Sequence, residues 1–98
     1  MTVRPSVYAT NALVEESRCL ARARAALHSH DPDRALELLS TVPNSPALAQ
    51  EREALTIEAM TKRPNLRAAA SERARLFLRA YPDSPHRARI TSLFLERK

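Results

Sequence analysis

The chain has 98 residues, with 16 Lys and Arg against 11 Asp and Glu, and it contains no Gly. One small domain of this length has little core in which to enclose a deep catalytic pocket, and the lack of Gly excludes glycine-rich phosphate loops, whose backbone must approach the phosphate closely. The net charge of +5 permits an acidic partner or a nucleic acid, although arginine also suits helix surfaces, where its apolar stem covers hydrophobic area.

The first predicted helix follows residues 1–10, a lead-in that we expect to be disordered or derived from cloning. Thr10 or Asn11 can cap this helix, and apolar residues then recur at spacings of three and four as far as Leu27, which predicts one buried face. We expect the helix to end near His30. No apolar run in the chain approaches the roughly 20 residues of a membrane span.

The second predicted helix begins at Asp31-Pro32, an N-cap followed by proline at the first helical position, where the missing N–H costs nothing. It should run to about Thr41. Its apolar spacing predicts burial of Ala35, Leu36, Leu39 and Val42.

Three further helices are predicted after this point. Ser45-Pro46 should start the third by the same device, and the pattern carries it to about Lys62. Asn65 should cap the fourth helix, and residues 85–97 form the fifth. Short loops between these segments favour antiparallel neighbours. The sequence therefore predicts an all-α fold of about five helices.

A repeat with an offset of 39 positions relates two parts of the chain. Between Asp33 and Ala49 it gives seven identities in seventeen positions, against roughly one expected by chance; they are Arg34/Arg73, Ala35/Ala74, Leu39/Leu78, Pro43/Pro82, Ser45/Ser84, Pro46/Pro85 and Ala49/Ala88. A period of this size in a helical chain is typical of stacked hairpins, which usually bind other proteins. We assign units 11–43 and 46–82 to hairpins and 85–97 to a capping helix.

The second helix resembles the tetratricopeptide repeat. Asp31, Ala35 and Leu39 match the pattern of that family's second helix, and His30 stands where the family usually has Gly. The segment Tyr81-Pro82-Asp83-Ser84 is similar to a bacterial variant known from cell-envelope proteins of the outer-membrane-assembly and Tol-associated types. The resemblance implies a non-catalytic adaptor that binds a protein or peptide, and it favours the periplasm over the cytoplasm.

The resemblance also implies where a partner would bind. The concave surface of such a stack is built from the first helix of each hairpin, so the candidate contact residues are Ser17, Arg24 and His28 on the first helix and Arg52, Thr56 and Arg63 on or after the third. Their arginines could donate to carboxylates or backbone carbonyls of a bound peptide.

Other functions find less support in the sequence. His28 and His30 are two positions apart, which is unfavourable for a two-histidine metal site on a helix, and Cys19 and His86 are remote from them. No nucleophile and base pair is evident, so we predict neither catalysis nor a cofactor. A small basic helix-turn-helix protein that binds nucleic acid stays open as an alternative, as does an oligomerisation or structural domain.

Overall fold

The computed structural model describes residues 5–41 and 45–95, and in those ranges the chain is helical without strands. This confirms the predicted all-α class and the expected number of helices. The helices are α1 (Pro5–His28), α2 (Pro32–Thr41), α3 (Ala49–Thr61), α4 (Arg67–Ala80) and α5 (Arg87–Leu95), with 3₁₀ turns at Pro46–Leu48 and Pro64–Leu66.

The packing is organised around α3, which contacts each of the other four helices. α1 pairs with α2, α3 pairs with α4, and α2 joins the two pairs through α3. The molecule is elongated, with extents of 60 × 29 × 17 Å. Its order of packing is that of two helical hairpins followed by a final helix.

α5 lies against α3 and α4, the place expected of a helix that covers the second hairpin. Arg67, at the start of α4, donates to the carbonyl oxygen of Leu93 at 3.3 Å. Its guanidinium also lies 5.5 Å from the centre of the Phe94 ring, within the range of a cation–π contact. Arg67 therefore fixes the C-terminal turn of α5 on the hairpin.

Two clusters of buried side chains form the core. The first joins α1, α2 and α3 and consists of Leu20, Ala23, Leu27, Ala35, Leu39, Leu55 and Ala59. The second joins α3, α4 and α5 and consists of Ala54, Ile57, Ala74, Phe77, Ile90 and Leu93. Both clusters take residues from α3, so this helix connects the two halves of the core.

The start of α1 differs from the sequence prediction. The helix begins at Pro5, and Thr10 and Asn11 lie inside it rather than at its cap; proline is well placed at a first helical position because its missing N–H has no partner there anyway. Residues 1–4 of the predicted lead-in lie outside the described residues. The assignment of unit boundaries stays a prediction.

Two predicted side-chain caps are also wrong. Ser45 and Asn65 were expected to cap α3 and α4, but Ser45 makes no cap hydrogen bond and Asn65 lies within a 3₁₀ turn. Backbone hydrogen bonds take the place of these side-chain caps. In the tight turns, carbonyl oxygens accept from the first free amides, and the carbonyl oxygen of Arg63 accepts from the Leu66 amide at 2.9 Å. The predicted cap of α2 is confirmed, since Asp31 Oδ1 accepts from the Arg34 amide at 3.1 Å.

The predicted apolar stripe of α1 is buried only in part. Leu20, Ala23 and Leu27 are buried, whereas Ala12 and Leu13 are exposed. The reason is length: α1 has 24 residues and α2 has 10, so the N-terminal half of α1 extends beyond its partner. Val42, predicted to be buried, lies outside the described residues.

His30 holds an unusual backbone conformation, with φ of 61°. It follows the last residues of α1, where the Asp31 amide donates to Ala26 O at 2.8 Å and the His30 amide donates to Leu27 O at 3.0 Å. This pair of bonds is the Schellman ending of a helix, whose left-handed residue is usually Gly. The histidine at this position is the departure from the family pattern seen in the sequence.

We expect His30→Gly to raise the free energy of unfolding by about 0.5–1 kcal/mol. A residue with a Cβ atom costs roughly 1–2 kcal/mol in the left-handed region, and the greater freedom of Gly in the unfolded chain offsets part of that gain. Urea titration followed by far-UV circular dichroism measures the change. His30→Ala is the matched control and should not stabilise the protein, because alanine keeps the Cβ atom.

Candidate binding groove

An open groove of about 950 Å³ runs across one face of the molecule between α1, α3 and α5. Apolar side chains form its floor, among them Leu27, Ala54 and Leu55. Ionisable side chains line the remainder of the groove, and they are Arg24, His28, His30, Glu51, Glu58, Lys62, His86 and Arg89. We call this feature the binding groove.

Helical spacing explains why these residues share a face. On α1, Leu27 and His28 lie three and four positions after Arg24. On α3, the groove residues Glu51, Ala54, Leu55, Glu58 and, one position past its end, Lys62 follow the same periodicity. Each helix thus presents an apolar floor and a charged rim together.

Two ion pairs cross the binding groove. Arg24 of α1 pairs with Glu51 of α3, and Arg89 of α5 pairs with Glu58 of α3. Each pair joins neighbouring helices and cancels one positive charge with one negative charge. Lys62 forms no ion pair within residues 5–41 and 45–95. The formal charge of the groove therefore depends on Lys62 and the three histidines.

The six residues predicted to contact a partner do not lie together. Arg24 and His28 line the binding groove. Arg52 and Thr56 instead line a smaller depression of about 310 Å³ that includes Leu36, Leu39 and Arg73. The remaining two lie elsewhere: Ser17 is on the exposed outer face of α1, and Arg63 pairs with Asp33.

The guanidinium of Arg52 forms an ion pair with the buried carboxylate of Glu16. Its Nη1 atom donates to Glu16 Oε2 at 2.8 Å, and the side chain of Glu16 is 0% exposed while that of Arg52 is 19% exposed. The same Nη1 atom also lies 3.5 Å from the carbonyl oxygen of Ser45. Arg52 therefore connects α1 to the segment that leads into α3, and its position suits a structural role.

The smaller depression has its own ion pair. Arg73 of α4 donates to Glu53 of α3 through two bonds, Nε to Oε2 at 2.7 Å and Nη2 to Oε1 at 2.6 Å. These hydrogen bonds raise the pKa of Arg73 above its ordinary value, against the opposing effect of partial burial and with added support from the charge of Glu53. The paired arginine is held in a fixed orientation by this geometry.

Sequence reasoning missed His86, Arg89 and Lys62 as groove residues. His86 lies just before α5 and Arg89 lies within it, and the sequence predicts only a capping role for this helix. Their place in the groove follows from the packing of α5 on α3, a long-range contact that no local pattern encodes. The signal available was the spacing of His86 and Arg89, which lie four positions before Ile90 and Leu93 respectively and so share the buried side of α5 at its edge.

The described residues show neither a metal site nor a membrane span. The described residues contain no group of three or more His, Cys, Asp and Glu placed to hold a metal ion. No helix among the described residues has both the length and the hydropathy needed to cross a membrane. Comparison with protein-family models, curated proteins and solved structures found no match to this chain.

Proposed function

We propose that the protein is a non-catalytic adaptor that binds a segment of a protein partner in the binding groove. The single observation behind this proposal is the groove itself, which combines an apolar floor at Leu27 and Leu55 with a charged rim along three helices. This combination suits a peptide, since apolar contacts supply affinity and the few polar groups fix orientation. The proposal includes the tetratricopeptide-like character and envelope location implied by the sequence resemblance.

The arrangement of the arginines supports a protein partner over a nucleic acid. Seven arginines form ion pairs with Asp or Glu in the described ranges. Nucleic-acid binding draws its affinity from cations that are free to neutralise phosphates, and an arginine already paired with a carboxylate serves that purpose poorly. These seven arginines are therefore less available to phosphates than the composition indicates.

The test is a selection of peptides from a random display library on the wild-type protein, followed by affinity measurements on the selected peptides. We expect Arg24→Glu combined with Lys62→Glu to weaken their binding by about tenfold or more, because the two changes reverse charges on the groove rim. Fluorescence anisotropy with labelled peptides measures the affinity.

Arg18→Glu is the matched control for charge reversal. Arg18 lies on the same helix as Arg24 but lines the outer face of α1 with Leu13 and Val14. Its replacement should leave the affinity within about twofold. Equal loss in the control and the groove variant would contradict the groove assignment, and a protein that binds DNA with a steep salt dependence but no selected peptide would favour the nucleic-acid alternative.

A further inference from the structure

The charge of the binding groove depends on pH more than that of an ordinary surface. Arg24 and Arg89 are each matched by a glutamate, Glu51 and Glu58 respectively. What remains is Lys62 and the three histidines of the chain, all of which line the groove. The formal charge is then +1 with neutral histidines and +4 with all three protonated.

The histidines come from two parts of the fold, the end of α1 and the start of α5. His28 is the last residue of α1, His30 lies in the turn between α1 and α2, and His86 lies just before α5. His28 and His30 are neighbours in the sequence, and the packing of α5 on α3 brings His86 into the same groove. The meeting of all three histidines therefore depends on the fold.

His30 adds an independent observation. It occupies a left-handed position with φ of 61°, where Gly would be less costly. Backbone conformations that cost stability are held by the surrounding structure and cluster at ligand and switch sites. The imidazole of His30 is exposed and lines the groove, so ligand contact supplies a reason for histidine at this position.

We propose that the binding groove takes an acidic segment of the partner, and that it binds this segment more tightly as His28, His30 and His86 gain protons. The proposal rests on the proposed function and adds the chemistry of the ligand and its regulation. An acidic segment complements the positive charge that the two ion pairs leave unmatched. The apolar floor then receives the nonpolar side chains between its carboxylates.

The direction of the pH effect follows from the general chemistry of imidazole and carboxyl side chains. Histidine gains its charge on acidification through the range of about pH 8 to 5, whereas a peptide glutamate keeps its charge until about pH 4.3. Between these limits acidification adds positive charge to the groove and leaves the ligand negative. Of the neighbouring carboxylates, Glu51 and Glu58 are paired with arginines, whereas Asp31 accepts from the neutral backbone amide of Arg34 and keeps its negative charge beside His30. Asp33, beside the groove residue Pro32, pairs with Arg63.

The probe is a peptide of about eight residues in which glutamate alternates with leucine, labelled with a dye that does not titrate in the pH range of the experiment, and its matched control replaces each glutamate with glutamine. We expect the affinity for the glutamate peptide to rise by about tenfold or more between about pH 7.5 and about pH 5.5. The glutamine peptide should change by less than about twofold, because it lacks the side-chain carboxylates that the added charges would attract.

The decisive variant combines His28→Gln, His30→Gly and His86→Gln. It should lose the rise in affinity for the glutamate peptide between about pH 7.5 and about pH 5.5, whatever its affinity at the higher pH. Circular dichroism at both pH values checks that it is folded, and His30→Gly is expected to add stability. A rise in affinity that survives in the triple variant overturns the proposal, as does failure of wild type to bind the glutamate peptide at either pH.

The outcomes separate this inference from the proposed function. Selected peptides that bind in the groove with no excess of Asp or Glu, and with no response to pH, would leave the adaptor function standing and overturn the acidic ligand. A library that yields no peptide sensitive to Arg24→Glu and Lys62→Glu would overturn the groove as a binding site. In that case a response of the glutamate peptide to pH would report only nonspecific attraction.

Discussion

Arg52→Met is expected to lower the free energy of unfolding by about 3–5 kcal/mol, because it leaves the carboxylate of Glu16 buried without its cation. Glu16 is 0% exposed, and its Oε1 atom has no hydrogen-bond partner among the described residues. Methionine keeps much of the length and apolar contact of the arginine stem. The loss therefore reports the electrostatic role of Arg52, and urea unfolding followed by circular dichroism measures it.

Two further variants make this prediction specific. Arg75→Met removes an exposed ion pair with Glu72 on α4 and should cost less than about 1 kcal/mol, as is usual for exposed pairs. Glu16→Leu combined with Arg52→Met should recover most of the loss, because burying two apolar side chains avoids the desolvation of both charges. If Arg52→Met and Arg75→Met lowered the free energy of unfolding equally, the buried ion pair would stabilise the fold no more than the exposed one.

The buried ion pair between Glu16 and Arg52 illustrates which features follow from the local sequence and which depend on tertiary packing. Glu16 lies on the buried stripe of α1, at spacings of four, seven and eleven from Leu20, Ala23 and Leu27. That periodicity is visible in the sequence, but a glutamate in the first turns of a helix is normally explained by its favourable interaction with the helix dipole. Only the packing of α3 on α1 supplies the arginine that makes its burial acceptable.

Helix boundaries were predicted best where proline sets them. α2 begins at Pro32 and ends at Thr41, as expected, because the start depends on chemistry local to the sequence. Ile57 was missed as a core residue although it is 0% exposed. This helix contacts all four others and so buries more than one face, and apolar spacing along one face therefore does not identify every buried residue of α3.

Some residues of the groove follow from local helix geometry, whereas others depend on how the helices pack. Arg24 and His28 were identified because they share a face of α1, which is a local property. Arg52 and Thr56 were assigned to the same surface by aligning α3 with α1, but they line the smaller depression. An offset of about one residue on a helix turns a side chain by about 100°, so an uncertain alignment is enough to move a residue to another face.

Phe77→Ala is expected to lower the free energy of unfolding by about 3–5 kcal/mol through the cavity that it leaves. Phe77 is 3% exposed in the second core cluster, where α3, α4 and α5 meet. The centre of its ring also lies 5.1 Å from the centre of the Tyr81 ring, with an angle of 54° between the two ring planes. The adjacent Leu76 is 52% exposed, so Leu76→Ala is a close control and should change stability by less than about 0.5 kcal/mol.

The same variant tests whether the two core clusters are separate units of stability. Because Phe77 belongs to the second cluster only, hydrogen exchange should accelerate more in α4 and α5 than in α1 and α2. α5 and the segment before it carry Arg89 and His86, so loss of order there should also weaken binding of the glutamate peptide. Equal acceleration in all helices would show instead that α3 unites both clusters into one cooperative unit.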